Sequence, residues 1–240
     1  PNHQNMQVYL DSVQLIPSDH AEFLGTIIDS TLSWEKQCGK VADKISRGNG
    51  VLNRVKHLLP PSSLKLLYHS FIQSHLEYAL PVWGGCNNQN RKRIVSIQKR
   101  AIRTISKSYI TAHTEPRMKK LGLLKFDDIH RLQCSLLTHE CIYGKAPEKI
   151  RQSIAIAENQ LHNLRRQAQK PLDVKIPNYK TRAGTNSFAI KGPAFWNEIA
   201  NETRSTNQKI HFKRKMKESL LLSYEHKSNC TNPRCRDKTN

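Results

Sequence analysis

Basic side chains are concentrated in residues 91–107, where seven of 17 positions hold lysine or arginine. At the 3.6-residue period of a helix, Lys92, Lys99 and Arg103 share one face, opposite a stripe of isoleucines. Cations in such a row are spaced to meet successive phosphates, and we favour that contact over the alternative of a solvated face without a ligand. The candidate nucleic-acid contacts of this segment are Arg91, Lys92, Lys99, Arg100, Arg103 and Lys107.

A second and weaker basic cluster lies near the C-terminus of the chain. Its members are Lys209, Lys213, Arg214, Lys215 and Lys217. We take Lys213 and Lys215 as its candidate contacts. Neither cluster supplies a pattern of side chains that reads base edges, so both predict recognition of the phosphate backbone rather than of a base sequence.

Asp127 and Asp128 are the only adjacent carboxylates in the chain. Paired aspartates can hold two divalent metals for phosphoryl transfer, but that chemistry needs a further carboxylate close by. Asp127 instead stands where a helix N-cap belongs, and Asp128 would complement the helix dipole in the first turn. The sequence also contains no glycine-rich phosphate loop and no Gly-x-Ser-x-Gly or His-Glu-x-x-His motif. We therefore predict no catalytic residue and no metal ligand in this chain.

The cysteines and histidines give one spacing worth naming, His226, Cys230 and Cys235, which resembles part of a zinc knuckle. Three ligands are short of the usual four, so we predict a flexible tail without metal. Six cysteines in the whole chain are too sparse for a disulfide scaffold and favour buried thiols in a reducing compartment. With no secretory signal and no apolar run of about 18 residues, we expect an intracellular protein of the nucleus or cytoplasm, neither secreted nor membrane-spanning.

Charge is distributed unevenly over the 240 residues. Residues 1–85 hold seven basic and seven acidic groups, so the whole net charge of +20 lies after residue 85. A field of that size attracts polyanions and makes their binding depend on salt. Nucleic acid is the first partner to consider, and an anionic membrane surface or an acidic protein is the second.

The elements that position these side chains begin with strands. Residues 6–10 and 13–16 flank a short turn at Asp11 and Ser12, and residues 23–28 read as a further strand. Gly25 within it marks either a bulge or a close backbone approach.

Helices follow from residue 33 onward. Ser33 is the expected N-cap of a first helix that reaches Leu59, and Ser62 the expected cap of a second that ends before Pro81. The basic segment 91–107 is the third helix, and two more are expected at 115–121 and 128–143.

The first part of the C-terminal third lacks a sustained hydrophobic periodicity. Residues 158–192 read as a long connection, with short strands near 173–176 and 187–190. Gly192 and Pro193 are expected to open a short helix, and a last helix should run over 207–224. Its inward side chains are expected to be Ile210, Phe212, Met216 and Leu220. The predicted fold class is mainly α, with a small N-terminal antiparallel β element and a loop-rich C-terminal part.

An ordered series of short motifs resembles the non-LTR retrotransposon reverse transcriptases of the jockey and X-element type. The motifs are Glu-Phe-Leu-Gly-Thr-Ile-Ile-Asp at 22–29 with Leu-Ser-Trp at 32–34, Tyr-His-Ser-Phe-Ile at 68–72 with Leu-Glu-Tyr at 76–78 and Val-Trp-Gly at 82–84, Ile-Gln-Lys-Arg-Ala-Ile-Arg at 97–103, Leu-Gly-Leu-Leu at 121–124, and Thr-Arg at 181–182 with Gly-Pro-Ala-Phe-Trp-Asn at 192–197. Each motif alone is weak, but their order is that of the family and they cover nearly the whole chain.

The resemblance implies the C-terminal part of such a polymerase, and a chain that starts at Pro1 reads as a piece of something longer. Residues 1–32 would be a β hairpin element at the edge of a missing palm, 33–157 a helical thumb-like bundle, 158–192 a basic connection, 193–225 a C-terminal helical extension and 226–240 a flexible tail. In the family the hairpin corresponding to Phe23, Leu24 and Gly25 helps hold the primer end, so these three join the candidate nucleic-acid contacts.

The family's catalytic motif, aromatic-x-Asp-Asp, lies upstream of this hairpin, and nothing upstream of Phe23 contains it. Asp127 and Asp128 follow Phe126 far downstream and are not its equivalent. The chain is therefore expected to be inactive alone and to hold no cofactor, although the parent polymerase would use Mg²⁺.

The leading expectation is thus a nucleic-acid-binding fragment that grips an RNA–DNA or DNA duplex through its phosphate backbone, next to the palm and fingers of the parent polymerase. The alternative is a helical protein-interaction domain, either standing alone or domesticated. Binding to an RNA–DNA hybrid that weakens steeply with salt would separate the two, because a protein partner need not lose affinity in that way.

Overall fold

The computed structural model describes residues 7–154 and 172–224. The chain begins with two antiparallel hairpins, β1 (Val8–Leu10) with β2 (Val13–Leu15), and β3 (His20–Phe23) with β4 (Thr26–Asp29). Asp11 and Ser12 join the first pair and both have positive φ, as a two-residue type I′ turn requires. The predicted first hairpin is confirmed.

The predicted single strand over residues 23–28 is wrong. Phe23 pairs with Thr26, and Leu24 and Gly25 form a second two-residue turn with φ values of 47° and 76°. Glycine adopts that left-handed conformation without the clash of a Cβ. Gly25 therefore serves a tight hairpin rather than a bulge, and the apolar run is divided between two strands.

The rest of the described chain is mainly α, as expected. The elements are α1 (Glu35–Val55), α2 (Pro61–Tyr68), a π-helical turn (His69–Gln73), α3 (Ser74–Glu77), α4 (Leu80–Trp83), α5 (Asn88–Ile105), α6 (Glu115–Leu121), α7 (Phe126–Ile142), α8 (Glu148–Arg151), α9 (Arg182–Asn186), α10 (Phe188–Asn197), α11 (Asn201–Arg204) and α12 (Lys209–Leu222). None of the helices in residues 7–154 and 172–224 is both long and apolar enough to cross a bilayer.

Three predicted helix caps are wrong. α1 begins at Glu35 rather than after Ser33, because Trp34 precedes it with a φ of 63°. α2 begins at Pro61, whose fixed φ suits the first helical position, so Ser62 lies inside the helix. α7 begins at Phe126, which places Asp127 in the first turn instead of at the cap.

The core is continuous from the N-terminal helices to the C-terminal ones. α1 packs against α5 along their buried stripes, and α7 packs against α4, α10 and α12. The isoleucine stripe predicted for the basic helix is buried: its members are Ile94, Ile97, Ala101, Ile102 and Ile105. This burial fixes which face of α5 points outward.

The C-terminal third is more helical than expected. The predicted strand at 187–190 is wrong, since α10 already begins at Phe188 and carries Gly192 and Pro193 inside it. The helix therefore crosses the expected boundary at residue 193. Near 173–176 the backbone makes an isolated bridge at Val174.

In α12, Phe212 and Met216 are buried as predicted and Leu220 is half-buried. Ile210 is 80% exposed, so its predicted inward position is wrong. The first half of the predicted connection, residues 158–171, lies outside the described residues.

Candidate nucleic-acid interface

One face of α5 lines an open groove of about 400 Å³, which we call the basic groove. Its lining residues are Arg91, Lys92, Val95, Ser96, Lys99, Arg103 and Asp127. Four of the seven are cationic and one is acidic. Lys92, Lys99 and Arg103 thus meet in one place, as the helical spacing indicated, and Arg91 joins them.

Gln98 holds α5 against the rest of the bundle. Its side chain is fully buried and donates to the Tyr68 hydroxyl at 2.9 Å and to the Leu124 carbonyl at 3.0 Å. Its Oε1 accepts from the backbone N–H of Phe126 at 2.8 Å. Gln98 therefore fixes the start of α7 beside α5. The sequence reasoning missed Gln98, although a glutamine inside an apolar stripe indicates a buried side chain that makes hydrogen bonds.

Arg91 and Asp127, which both line the basic groove, form an ion pair. Both side chains are partly exposed, at 46% and 35%. The hydrogen bond to Asp127 raises the pKa of Arg91 further above its ordinary value. Arg91 is thus present in the groove but already has an anionic partner.

Asp128 has a different environment from its neighbour. It accepts a hydrogen bond from the hydroxyl of Tyr224 at 2.5 Å, and burial raises its pKa. The same Tyr224 hydroxyl accepts from the backbone N–H of Lys125 at 2.9 Å. Asp128 therefore links Tyr224, two residues beyond the end of α12, to the start of α7. The two aspartates have different partners and do not converge on a common point as a metal pair would.

Lys92 and Lys99 are the accessible cations of the basic groove. Both side chains are exposed, and within residues 7–154 and 172–224 neither makes an ion pair or a side-chain hydrogen bond. Arg103 is half-buried, and its Nε donates to the carbonyl of Ala112 at 3.0 Å. Burial, with Arg117 nearby, lowers the pKa of Arg103. Two lysines are therefore free to meet a ligand, while Arg103 also supports the loop after α5.

Arg100 and Lys107, the other two predicted contacts of this segment, do not line the basic groove. Arg100 is exposed elsewhere on α5. α5 ends at Ile105, and Lys107 lies beyond it with a φ of 48°. The predicted helix is present, but it ends two residues before the expected boundary at Lys107.

The predicted hairpin contacts form a separate exposed tip. Phe23 and Leu24 are 65% and 75% exposed. The Leu24 carbonyl accepts from the Tyr78 hydroxyl at 2.5 Å, and the Gly25 carbonyl accepts from Lys40 at 3.1 Å. The tip is therefore anchored to the helices, and it does not line the basic groove.

The two predicted contacts on α12 also lie outside the basic groove. Lys215 donates to the Thr206 hydroxyl at 3.2 Å and to the Glu202 carbonyl at 3.5 Å. Lys213 is exposed. It lies near Lys217, whose pKa is lowered by burial and by the charges of Lys65 and Lys213. This is a second basic surface, built by α2 and α12 together.

A second groove, of about 260 Å³, includes the N-cap residue of α5, Asn87, in its lining; we call it the Trp34 groove. Sequence reasoning did not find it. Its lining residues are Thr31, Leu32, Ser33, Trp34, Gly85, Asn87, Arg182, Ala183 and Asn186. They come from three distant segments of the chain, so no local pattern marks them.

Asp29 shapes one wall of the Trp34 groove. Its carboxylate accepts from the Thr31 hydroxyl at 2.6 Å and from the backbone N–H groups of Ser33 and Trp34 at 2.9 and 2.8 Å. Burial raises the pKa of Asp29, but these hydrogen bonds outweigh it and lower the pKa to about 2. The loop 31–34 is thereby held in one conformation.

In the part of the chain that the structure describes, no three histidine, cysteine or acidic side chains converge as metal ligands would. His226, Cys230 and Cys235 lie outside the described residues. Comparisons of the chain with protein-family models, with curated proteins and with solved structures give no match.

Proposed function

We propose that the chain binds a nucleic-acid duplex, RNA–DNA or DNA, by its phosphate backbone along the basic groove. The observation that carries this is the row of Lys92 and Lys99, exposed and without partners in the described chain, between Arg91 and Arg103. The charge of +20, all of it after residue 85, supports an anionic ligand. The motif series adds the expectation of a reverse-transcriptase thumb and C-terminal extension, without catalytic aspartates of its own.

The binding mechanism follows from the exposure of the two lysines. A solvent-exposed ammonium group loses little hydration free energy when it meets a phosphate at the protein surface. The favourable contribution to binding is the release of counterions condensed on the duplex. That term does not depend on base sequence. A protein that holds a template–primer must accept any sequence, so backbone contact suits the proposed role.

The test replaces Lys92 and Lys99 by Gln in one variant and measures binding to a blunt RNA–DNA hybrid at several salt concentrations. Each lost phosphate contact lowers the log–log salt slope by about 0.7–0.9, so the double variant is expected to lose about 1.4–1.8. The matched control is Lys149→Gln with Lys175→Gln. These lysines are also exposed and line neither groove.

Exposed charges contribute little to stability, so both double variants should keep the parent's circular dichroism spectrum and melting temperature. The proposal requires that the log–log salt slope decrease in the groove variant and stay close to that of the parent in the control. Equal slopes for the two variants would mean that the net charge binds the duplex and that this groove has no special part.

A helical protein-interaction domain is the second candidate, and the first hairpin favours it. Several large apolar side chains of this hairpin are exposed, namely Val8, Tyr9, Leu10, Val13, Leu15 and Ile16. A two-stranded hairpin with bare apolar faces is marginal in water and gains stability from a partner. Under this candidate, affinity for the partner should change little with salt, and the Lys92 and Lys99 substitutions should leave it unaltered.

A further inference from the structure

The Trp34 groove lies next to the basic groove. Asn87 lines the Trp34 groove and is the N-cap of α5, whereas Arg91 lines the basic groove one helical turn later. Four residues of helix correspond to about 6 Å along the axis. A strand whose phosphates follow the basic groove can therefore reach the Trp34 groove within about two nucleotide steps.

The walls of the Trp34 groove carry the groups that recognise a nucleotide. Trp34 supplies an aromatic ring, Arg182 a cation, and Asn87 and Asn186 supply amides. Gly85 and Ala183 add small residues to the lining. An aromatic platform with a neighbouring cation is the arrangement by which proteins bind unpaired bases without regard to sequence.

Trp34 is held in place before any ligand arrives. Its backbone N–H donates to Asp29, its φ is 63°, and its half-buried side chain packs against the hydrophobic core. The other two tryptophans of the chain, Trp83 and Trp196, have no exposed surface. Trp34 is thus the tryptophan that a base in this groove could contact.

Arg182 is carried by α9, which packs backbone to backbone on the corner between α4 and α5. A Cβ at Gly85 would lie 2.1 Å from the carbonyl oxygen of Asn186, so only glycine permits this approach. The Thr181 hydroxyl accepts from the N–H of Gly184 at 3.2 Å and caps α9. Arg182 is exposed and, within the described residues, makes no ion pair. Its charge is therefore available to a phosphate.

We infer that the Trp34 groove receives an unpaired nucleotide at the end of the duplex that lies in the basic groove. Paired bases inside a duplex are covered by their neighbours, so only a terminal or single-stranded base can stack on Trp34. Arg182 then meets the phosphate of that nucleotide. This inference rests on the proposed function, because the duplex must first be placed along α5.

The test compares two probes, a blunt RNA–DNA hybrid and the same hybrid with a short single-stranded extension. For the parent chain, the extension should strengthen binding roughly fivefold or more, which is the lower end of what one base stacked on an aromatic side chain gives. The stacked base should also quench the fluorescence of Trp34. This quenching can be assigned to Trp34, because the buried Trp83 and Trp196 cannot contact the base.

Three groove variants and one control make the test specific. In Trp34→Leu and in Arg182→Gln the ratio of the two affinities should fall towards one. Trp34→Tyr retains an aromatic ring and should keep much of the preference. Lys180→Gln is the matched control for Arg182, since Lys180 is exposed, has the same charge and does not line the groove. Its ratio should equal that of the parent.

The outcomes separate this inference from the proposed function. Salt-dependent binding of the blunt hybrid without a preference for the extension overturns the inference and leaves the proposed function standing. A preference that persists in both Trp34→Leu and Arg182→Gln also overturns it. If neither probe binds, the proposed function fails and the inference fails with it.

Discussion

Asp127 is the one acid among the seven residues that line the basic groove, and its replacement by Asn should change stability and binding in opposite directions. The carboxylate pairs with Arg91 and lies in the first turn of α7. Asn has nearly the same size and removes only the charge. The variant therefore tests whether the groove is built to hold an anion.

The expected loss of stability has two sources. An acid in the first turn of a helix contributes about 0.3–1 kcal/mol through the helix dipole, and an exposed ion pair contributes about 0.2–1 kcal/mol. Because Arg91 and Asp127 are 46% and 35% exposed, solvent screening places the ion pair at the low end. We expect Asp127→Asn to lower the free energy of unfolding by about 1 kcal/mol.

The expected gain in binding also has two sources. A carboxylate about 7 Å from a phosphate in water repels it by roughly 0.6 kcal/mol, so its removal strengthens binding about threefold. Arg91, released from its partner, can add one phosphate contact and raise the log–log salt slope by about 0.7–0.9. The variant should therefore bind a duplex more tightly than the parent and depend more steeply on salt.

The assay is a salt titration of duplex binding together with thermal unfolding, for the parent, Asp127→Asn and Asp43→Asn. Asp43 of α1 is a matched control, because it pairs at 3.2 Å with Arg93, which lies on α5 like Arg91, but it does not line the basic groove. Asp43→Asn makes the same change of net charge. Equal gains for both variants would attribute the effect to net charge, and a loss of affinity in Asp127→Asn would refute a phosphate-binding groove.

Two further predictions concern acids of the chain. Because the pKa of Asp29 is lowered from 3.8 to about 2, its ionised carboxylate should stabilise the fold above about pH 4, and about 2 kcal/mol of this contribution should be lost as the pH drops through about 2. The Asp29→Asn variant should lack this pH-dependent contribution, and an acid unfolding transition equal to that of the parent would contradict the prediction. The chain alone should extend no primer with any template, divalent metal and deoxynucleotides, since Asp127 and Asp128 have separate structural partners; metal-dependent extension that Asp127→Asn and Asp128→Asn abolish would overturn this.

The basic face of α5 could be predicted from the sequence because its pattern is local. An isoleucine stripe at helical spacing fixes the buried side of a helix, and the positions of Lys92 and Lys99 then follow. The neighbour that completes the groove could not be predicted in this way. Asp127 reaches Arg91 because Gln98, a polar residue on the buried face, binds the start of α7.

The errors have physical causes of two kinds. Helix starts differ from those predicted where a residue outside the local pattern sets the boundary, as where the carboxylate of Asp29 binds the N–H of Trp34, five residues later. Pro193 is expected to start a helix, yet α10 contains it in its interior because tertiary packing outweighs local propensity. Trp196 of that helix is fully buried beside Phe212, with ring centroids 5.5 Å apart.

The charge and the shape of the basic groove depend on different residues. Its two arginines are engaged within the chain, Arg91 with Asp127 and Arg103 with the carbonyl of Ala112. A planar guanidinium holds such a partner in a fixed geometry and keeps its positive charge, so these residues shape the walls and still contribute to the field. Lys92 and Lys99 carry compact charges on flexible stems and can follow phosphates whose positions vary from one duplex to another. Binding that must accept any sequence is therefore expected to depend on the lysines, and the form of the groove on the arginines.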